Sequence, residues 1–452
     1  MRNLISDALR GHRADYIEVH LEEAELTRVR FRGRQLEELG RSRALGGNVR
    51  ALVGGGWGFA SFNDVAQLGR YVEQAVLQAR LAVREPFQLA PAPVVEDRLQ
   101  ASARRDVRAV SLEAKVSLLQ EYNELLWATA PLQTTSVRYA DACRRTTFAN
   151  SEGSYIEQET LDLSALFLAV ARKDSEVEQA FLSLGSRGDL TALEGRHQEI
   201  QAVARRAVDL LSARRVKGGT YTVIIDPRLA GVFVHEAFGH LSESDQVYEN
   251  PRLRELMVLG RRFGGRHLNI VDGASLAGHR GSYAYDAEGV AAAKTYLIRE
   301  GELVGRLHSR ETAGKMGEAV TGNARSLNYR FPPIVRMTNT FIEPGDVPFE
   351  QMLASVDEGV YLKQSFGGET SMEMFTFSAG EAYMIRRGKL AEPLRGANLT
   401  GNVFQTLANI EAIGDDLVWS EGGGCGKGEQ SPLPVATGSP HLLIRDVVIG
   451  GE

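Results

Sequence analysis

The chain has 452 residues, of which 43% are hydrophobic and 24% are charged. Its length is about three times that of a typical domain, so these values exclude a single small domain and a disordered or fibrous chain. The net charge of -6 gives no basic surplus of the kind that duplex-binding proteins use, so we predict no direct nucleic-acid partner.

The sequence does not predict a membrane protein. The first residues, MRNLISDALRGHRADY, lack the continuous apolar core of a signal peptide. The apolar run Leu161–Ala171 is too short to cross a bilayer and predicts a buried strand. The two cysteines, Cys143 and Cys425, are too few for a disulfide framework and are typical of a reducing compartment. We therefore expect a cytoplasmic protein with no membrane partner.

The first half of the chain alternates between strand and helix patterns. Hydrophobic periodicity and turn residues divide it, and prolines near residues 85–105 mark a linker that could separate two subdomains. The predicted elements are an antiparallel meander over Tyr16–Ser61, helices over Asp64–Arg84, Ser111–Trp127 and Leu193–Ala213, and strands on either side of Asn150–Gly153.

The second half is predicted to be rich in β-hairpins. Thr295–Leu307 turns at Glu300-Gly301, and Ala382–Leu394 turns at Arg387-Gly388. A basic and glycine-rich stretch precedes this change of pattern, so we place the main domain boundary near residue 215. The predicted fold class is α+β, with an amino-terminal α/β region (1–215) and a β-rich carboxy-terminal domain (216–452).

A strand followed by a helix carries the chemistry of the second half. The β-branched strand Tyr221–Ile225 reaches Asp226-Pro227, a pair typical of a helix cap and first helical position. The helix that follows places His235 and Glu236 near the edge of a buried apolar stripe.

His235, Glu236 and His240 form an H-E-x-x-x-H motif. Residues five apart on a regular helix are separated by about 140°, so His235 and His240 could not both bind one ion there. We expect a π-bulge, or termination of the helix at Gly239, to bring the second histidine back toward the first.

The residue types of this motif indicate a zinc site. Two neutral imidazoles and a third protein ligand would hold the ion, and water would occupy the open position. Glu236 would act as the general base toward that water and later protonate the leaving amine, which is the chemistry of peptide hydrolysis.

The third ligand stays open at this point, and isolated histidines are more often structural than metal-binding. The candidates are Cys425, His279, His441, Glu243 and Asp245. Glycines on both sides of Cys425 allow close approach of the backbone, and the charge of Lys427 would favour its thiolate. Cys143, in the middle of a predicted strand, is interpreted as structural.

Five segments of the sequence resemble the TldD/PmbA family, and the likeness covers nearly the whole chain. They are HEAFGHLSESD (235–245), DAEGVAAAKT (286–295), TGNARS (321–326), RMTNTFIEPGD (336–346) and GGGCGKGEQSPLPVATGSPHLLI (422–444).

This resemblance implies a zinc metallopeptidase of the catalytic, TldD branch. It assigns His235, His240 and Cys425 as the ligands of one Zn²⁺ per catalytic subunit, and Glu236 as the catalytic residue. It further implies a homodimer or a heterodimer with a PmbA-type sister subunit. Family members resemble a closed dimeric shell that admits unfolded peptides, and they carry the older label of gyrase modulator.

Other residues of the matching segments are predicted to contact substrate. Turn and cap roles remain equally open for these positions, and His279 could instead stabilise a tetrahedral intermediate. The predicted set is His279, Asp286, Glu288, Asn323 and Asn339.

The sequence therefore predicts a zinc-dependent peptidase for unfolded or extended peptides, bound by addition of a strand to a sheet edge. Two alternatives stay open. One is a non-catalytic regulatory or binding subunit, and the other is a metal-dependent hydrolase of a non-peptide amide.

Overall fold

A computed structural model describes residues 1–451 of the chain. Helices are short in the second half and longer in the first. The α-helices are α1 (Arg2–Leu9), α2 (Leu68–Leu81), α3 (Leu112–Thr129), α4 (His197–Leu210), α5 (Pro227–Val234), α6 (Ser244–Glu249), α7 (Pro251–Leu256), α8 (Arg310–Met316), α9 (Phe349–Ala354) and α10 (Val403–Ala408).

Strands make up the larger part of the regular structure. In the first half they are β1 (Tyr16–Arg32), β2 (Gln35–Val53), β3 (Gly56–Phe62), β4 (Glu96–Leu99), β5 (Thr134–Asn150), β6 (Tyr155–Lys173), β7 (Glu176–Ser186) and β8 (Arg214–Arg215). In the second half they are β9 (Gly219–Ile225), β10 (Ile270–Gly273), β11 (Lys294–Arg299), β12 (Glu302–Leu303), β13 (Ala324–Arg325), β14 (Ile334–Val335), β15 (Asn339–Ile342), β16 (Glu358–Ser371), β17 (Met374–Arg386), β18 (Lys389–Arg395), β19 (Asn398–Asn402), β20 (Ile410–Ile413), β21 (Val418–Ser420), β22 (Gly424–Lys427), β23 (Gln430–Pro434), β24 (Ala436–Ser439) and β25 (Leu442–Gly450).

The first half of the chain forms one sheet with helices packed on it. The strand order is β3-β2-β1-β5-β6-β4, and β7 pairs with β6. Helix α2 packs on β2 and β3, while α4 packs on β6 and β7. Alternating residues of β6 are buried, which confirms the buried strand predicted at Leu161–Ala171. Two apolar clusters result, one under α2 and one under α3 and α4.

The second half contains two larger sheets. One has the order β12-β11-β10-β15-β24-β21. In the other, β16 pairs with both β9 and β17, so the strands β16, β9, β25, β19 and β17 form a closed ring. Helix α5 packs between β16 and β24, with Phe233 and Val234 inside the shared core. This placement fixes the helix that continues into the candidate site.

The predicted α+β class is confirmed, and the differences lie at helix ends. The helix predicted from Asp64 begins with a 3₁₀ turn, Val65–Gln67, that Asp64 caps. The helix predicted over Leu193–Ala213 is shorter, because Gly195 has φ +69° and interrupts any helix before α4. The predicted linker near 85–105 contains β4, which pairs in parallel with β6.

Both hairpins predicted for the second half are confirmed. The strand pairs β11–β12 and β17–β18 are antiparallel. At the first turn Glu300 and Gly301 have φ of 48° and 80°, and at the second Arg387 and Gly388 have φ of 51° and 71°. These positive values suit the two-residue turns that match strand twist. The domain boundary near residue 215 stays a prediction.

Candidate metal centre

Strand β9 delivers helix α5 into the centre of the second half. The side chain of Asp226 accepts a hydrogen bond from the backbone N–H of Leu229 at 2.8 Å, and Pro227 occupies the first helical position. The Asp226 cap accepts from one of the free N–H groups at the helix start, and proline has no N–H group that needs a partner. The helix begins where the sequence predicts.

The helix departs from α geometry at the H-E-x-x-x-H motif. His235–Gly239 form a π-helical turn, followed by a 3₁₀ turn over His240–Ser242. The wider turn places the ring centroids of His235 and His240 5.5 Å apart. The predicted departure from a regular helix is confirmed, in the form of the π-bulge.

Gly239 is needed at this turn because of packing. Its backbone has φ -58°, a helical value that any residue adopts. A β-carbon at Gly239, however, would lie 2.0 Å from the sulfur of Met337. The contact with Met337 therefore restricts this position to glycine, since the backbone angle would allow any residue.

The hairpin β22–β23 brings Cys425 to the two histidines. The ligand atoms of His235, His240 and Cys425 all lie within 4.8 Å of one another, and the Sγ of Cys425 is 3.4 Å from Nε2 of His240. A tetrahedral zinc ion would hold a sulfur and a nitrogen about 3.6 Å apart. The spacing and the ligand types fit zinc.

The buried imidazole of His235 supports the same fit. Its Nδ1 atom has no hydrogen-bond partner among the residues that the structure describes. Buried polar atoms are rarely left unsatisfied in native proteins, and a bound ion is one of the common explanations. The residues present therefore fit a bound metal.

The charges of the cluster favour the thiolate of Cys425. Burial alone would raise the pKa of this thiol, but the neighbouring His235 and His240 outweigh it and lower the pKa to about 4. Burial lowers the pKa of His240, yet the carboxylate of Glu243 and the sulfur of Cys425 raise it to about 10. The thiolate is the form of cysteine that binds metals.

Glu243 orients the imidazole of His240 through a contact with its Nδ1 atom. Its Oε2 lies 3.1 Å from Nδ1 of His240, which leaves Nε2 directed to the cluster. Carboxylates commonly hold metal-bound histidines in this way. Burial raises the pKa of Glu243, but Lys427 and His240 lower it to about 2, so the carboxylate is charged.

Lys427 has a different role from the one that the sequence predicts. Its Nζ donates to Asp245 at 2.7 Å and lies 3.1 Å from Glu243. The cation therefore holds these two carboxylates, and the imidazoles are the groups that favour the thiolate of Cys425. Glu243 and Asp245 are among the ligands that the sequence allows, but no local pattern indicates their contact with Lys427.

Glu236 faces a cavity of about 280 Å³ beside the cluster, which we call the Glu236 cavity. Its Oε2 lies 3.5 Å from Nε2 of His240, and its side chain is 27% exposed. Phe181, Val232 and Phe366 give the cavity apolar walls, and Gly422–Gly424 bring backbone to its surface. His235 and Glu236 both line this cavity, so the carboxylate and one of the candidate ligands face the same space.

Three family models cover most of the chain. They are described as PmbA/TldA metallopeptidase domain 1, central domain and C-terminal domain, and they match residues 17–79, 105–215 and 218–451. The chain belongs to the PmbA/TldD metallopeptidase family. This membership agrees with the resemblance inferred from the motifs.

Relatives and a solved structure support the family assignment. A metalloprotease of Synechocystis is 52% identical over 97% of this chain and 95% of its own length. A zinc metalloprotease TldD homolog of Saccharolobus solfataricus is 33% identical over 71% of this chain and 72% of its own length. The crystal structure of TldE from Thermococcus kodakarensis has a TM-score of 0.80 at 18% identity and 100% coverage of both chains, so it shares the fold.

Four predicted substrate residues of this PmbA/TldD chain bind groups within the protein. Asp286 accepts from three backbone N–H groups, and Glu288 accepts from Arg50. Asn323 donates to Asp272, while Asn339 donates to Gly273 and Ser282. These four are buried and do not line the Glu236 cavity. Their contact with substrate stays a prediction.

The remaining histidine candidates lie outside the cluster. His279 stacks on Trp419 and its Nδ1 is 2.6 Å from Glu421, at the start of the loop that leads to Cys425. His441 lies between Asp416 and Tyr361, at 2.5 Å and 2.9 Å. Cys143 is buried in β5, as the structural interpretation predicts. Among residues 1–451, no helix is both long and apolar enough to span a membrane.

Proposed function

We propose that this chain is a zinc-dependent peptidase that hydrolyses unfolded or extended peptides. His235, His240 and Cys425 would hold one Zn²⁺ per catalytic subunit, and Glu236 would be the general base. The observation that carries the proposal is the convergence of three ligand atoms within 4.8 Å beside a carboxylate that faces a cavity.

A zinc ion at this position would polarise the peptide carbonyl and lower the pKa of water. Glu236 takes the proton from the attacking water onto its carboxylate and delivers it to the nitrogen of the leaving amine. Glu243 keeps Nε2 of His240 directed to the cluster through its contact with Nδ1. The apolar walls of the Glu236 cavity limit the water around the reacting bond.

The edge of a sheet beside the cavity supports an extended substrate. Strand β21 ends the order β12-β11-β10-β15-β24-β21, and its last residue, Ser420, lines the Glu236 cavity. A peptide that adds a strand to an edge binds through main-chain hydrogen bonds, which tolerate many sequences. A folded protein cannot offer such a segment, so unfolded peptides are the substrates.

Glu236→Gln tests the assigned base. The amide keeps the size of the side chain but cannot accept the proton, so cleavage of an unstructured peptide is expected to fall by about 10²-fold to 10⁴-fold. Zinc content, measured on the same samples by elemental analysis, is expected to stay unchanged. Glu255→Gln, at an exposed glutamate of α7, is the matched control and should keep full activity.

The same assay separates the alternatives. Undiminished cleavage by Glu236→Gln would refute the general base. A regulatory binding subunit would cleave neither peptides nor small amides with zinc present. A hydrolase of non-peptide amides would cleave only the small amides, and a chelator would stop it.

We propose a dimeric assembly, with a second copy or with a PmbA-type sister subunit. Residues 35–45 of β2 pair with β1 alone within the described chain, and Leu36, Leu39 and Leu45 are exposed there. A strand edge with unpaired backbone groups and exposed leucines tends to pair with another chain. The cytoplasmic location and the lack of a nucleic-acid partner stay predictions from composition.

A further inference from the structure

A second cavity, of about 200 Å³, lies between the first sheet and the loops of the second half. We call it the arginine cavity, because Arg144, Arg187, Arg280 and Arg325 line it. It is separate from the Glu236 cavity, and none of the residues that the sequence or the motif assigns to metal binding lines it.

Only two of these four arginines have a carboxylate partner. Arg144 donates to Glu22 at 2.8 Å, and Arg280 donates to Asp162 at 2.6 Å and 2.9 Å. The third carboxylate at the cavity belongs to Asp286, which three backbone N–H groups bind. The cavity therefore has more positive charge than the protein neutralises.

Arg325 and Arg187 supply the excess charge. Arg325 is 9% exposed and donates to the carbonyls of Met337 and Pro434 at 2.6 Å and 2.7 Å. Arg187 has no hydrogen bond or ion pair among the described residues. Burial lowers the pKa of both guanidinium groups, and for Arg187 no neighbouring charge opposes it, whereas Asp272 partly opposes it for Arg325. Such groups are costly unless an anion compensates them.

We propose that the arginine cavity binds a carboxylate-bearing segment of a peptide, with the carboxylate held by Arg187 and Arg325. A peptide offers the anionic group, since its carboxylate pairs with guanidinium. The choice of a peptide rests on the proposed peptidase function. The volume is below that of typical drug-sized pockets, so the segment is one or two residues long.

Paired residues of the same hairpin line the two cavities. Gly424 lines the Glu236 cavity and pairs with Pro434, which lines the arginine cavity, so their Cα atoms are about 5 Å apart. Arg280 also donates to the backbone carbonyl of Gly423. One peptide can therefore occupy both cavities around this loop.

Strand β7 gives the spacing between the two cavities. Ser183 of β7 lines the Glu236 cavity, and Arg187, the first residue after β7, lines the arginine cavity four residues farther on, which is about 13 Å for an extended chain. An extended peptide covers this distance in about four residues. The bound carboxylate therefore lies at least about four residues from the bond that is cleaved.

Peptide binding to the chelator-treated protein tests the proposal without requiring activity. The probes are fluorescent glycine–serine hexapeptides that end in glutamate with a free carboxyl terminus, or in glutamine amide. The first is expected to bind and the second to bind at least about tenfold more weakly. Glutamate amide and free-acid glutamine probes distinguish a side-chain carboxylate from the terminal one.

Arg187 is the position to vary, since it makes no contact that the fold needs. Arg187→Gln is expected to weaken binding of the carboxylate probe about tenfold or more, and Arg187→Lys to retain most of it. Arg28→Gln, at an exposed arginine of β1, is the matched control and should bind as the parent does. An unchanged melting temperature shows that each variant folds.

Two outcomes would overturn the proposal. One is equal binding of the carboxylate and amide probes. The other is an Arg187→Gln variant that is folded and binds the carboxylate probe as tightly as the Arg28→Gln control. Because the protein is metal-free in this assay, neither outcome depends on whether the chain is a zinc peptidase.

Discussion

His20 shows how the fold changes the chemistry of a single residue. Burial and the charge of Arg50 lower the pKa of its imidazole to about 4, so the ring is neutral near neutral pH. Glu18 lies 3.9 Å from its Nε2, and Phe148 packs against the ring. A histidine whose pKa is depressed by folding binds protons more readily in the unfolded chain.

This depressed pKa predicts a loss of stability in mild acid. The contribution of His20 is fully present above the unfolded pKa of about 6.5 and is lost as the pH falls toward about 4. Between about pH 7 and about pH 5 the parent should lose about 2 kcal/mol more unfolding free energy than His20→Gln. Denaturant titrations of both proteins at the two pH values measure the difference, and parallel pH curves would contradict the assignment.

The candidate ligands could be predicted from the sequence, but the residues that support them could not. His235, Glu236 and His240 lie within six positions, and Cys425 is marked by its glycines and by the family motif. Glu243 contacts His240 three positions earlier, but Lys427 and Arg280 act through residues far away in the chain, such as Lys427 with Asp245. No local pattern indicates such contacts, because they depend on how the sheets pack.

The π-helical turn is the element that decides whether the two histidines meet. The spacing of the motif predicts it, since a regular helix would place the second histidine about 140° away. The contact between Gly239 and Met337 is set by β15 and its neighbours, and the sequence contains no sign of it. The same limit applies to the start of α4, because the sequence does not show that Gly195 has a positive φ and interrupts the predicted helix.

Gly239→Ala is expected to destabilise this turn. The added carbon would overlap the sulfur of Met337, and overpacking of this kind costs about 1–3 kcal/mol of unfolding free energy. Gly69→Ala is the control, because Gly69 lies in α2 with open space around it and alanine should stabilise that helix by up to about 1 kcal/mol. Thermal unfolding measures both, and equal effects at the two positions would show that the Met337 contact is unimportant.

At the scale of the whole molecule, buried ion pairs join the two halves of the chain. Glu288 accepts from Arg50 of β2 at 2.5 Å and from the backbone N–H of Arg310 at 2.6 Å. The guanidinium of Arg310 binds Glu152 at 2.7 Å and 2.8 Å. The family motif that contains Glu288 thus contributes to the junction between the first sheet and the second half.

Glu288→Gln separates this structural role from the predicted contact with substrate. Removing this carboxylate leaves the buried Arg50 with Glu18 as its one remaining carboxylate partner among the described residues, so the variant should lose about 1–3 kcal/mol of unfolding free energy. Glu302→Gln, which breaks an exposed pair with Arg262, should lose less than about 1 kcal/mol. A stable Glu288→Gln protein with a raised KM would instead favour the substrate role.

The central claim is that one zinc ion joins His235, His240 and Cys425 beside Glu236. Anomalous diffraction at the zinc edge, from crystals grown with zinc, tests it most directly. The account predicts one peak about 2.1 Å from a nitrogen of each histidine and about 2.3 Å from the sulfur, and its loss in Cys425→Ala. A zinc peak elsewhere, or a peak that persists unchanged in Cys425→Ala, would contradict it.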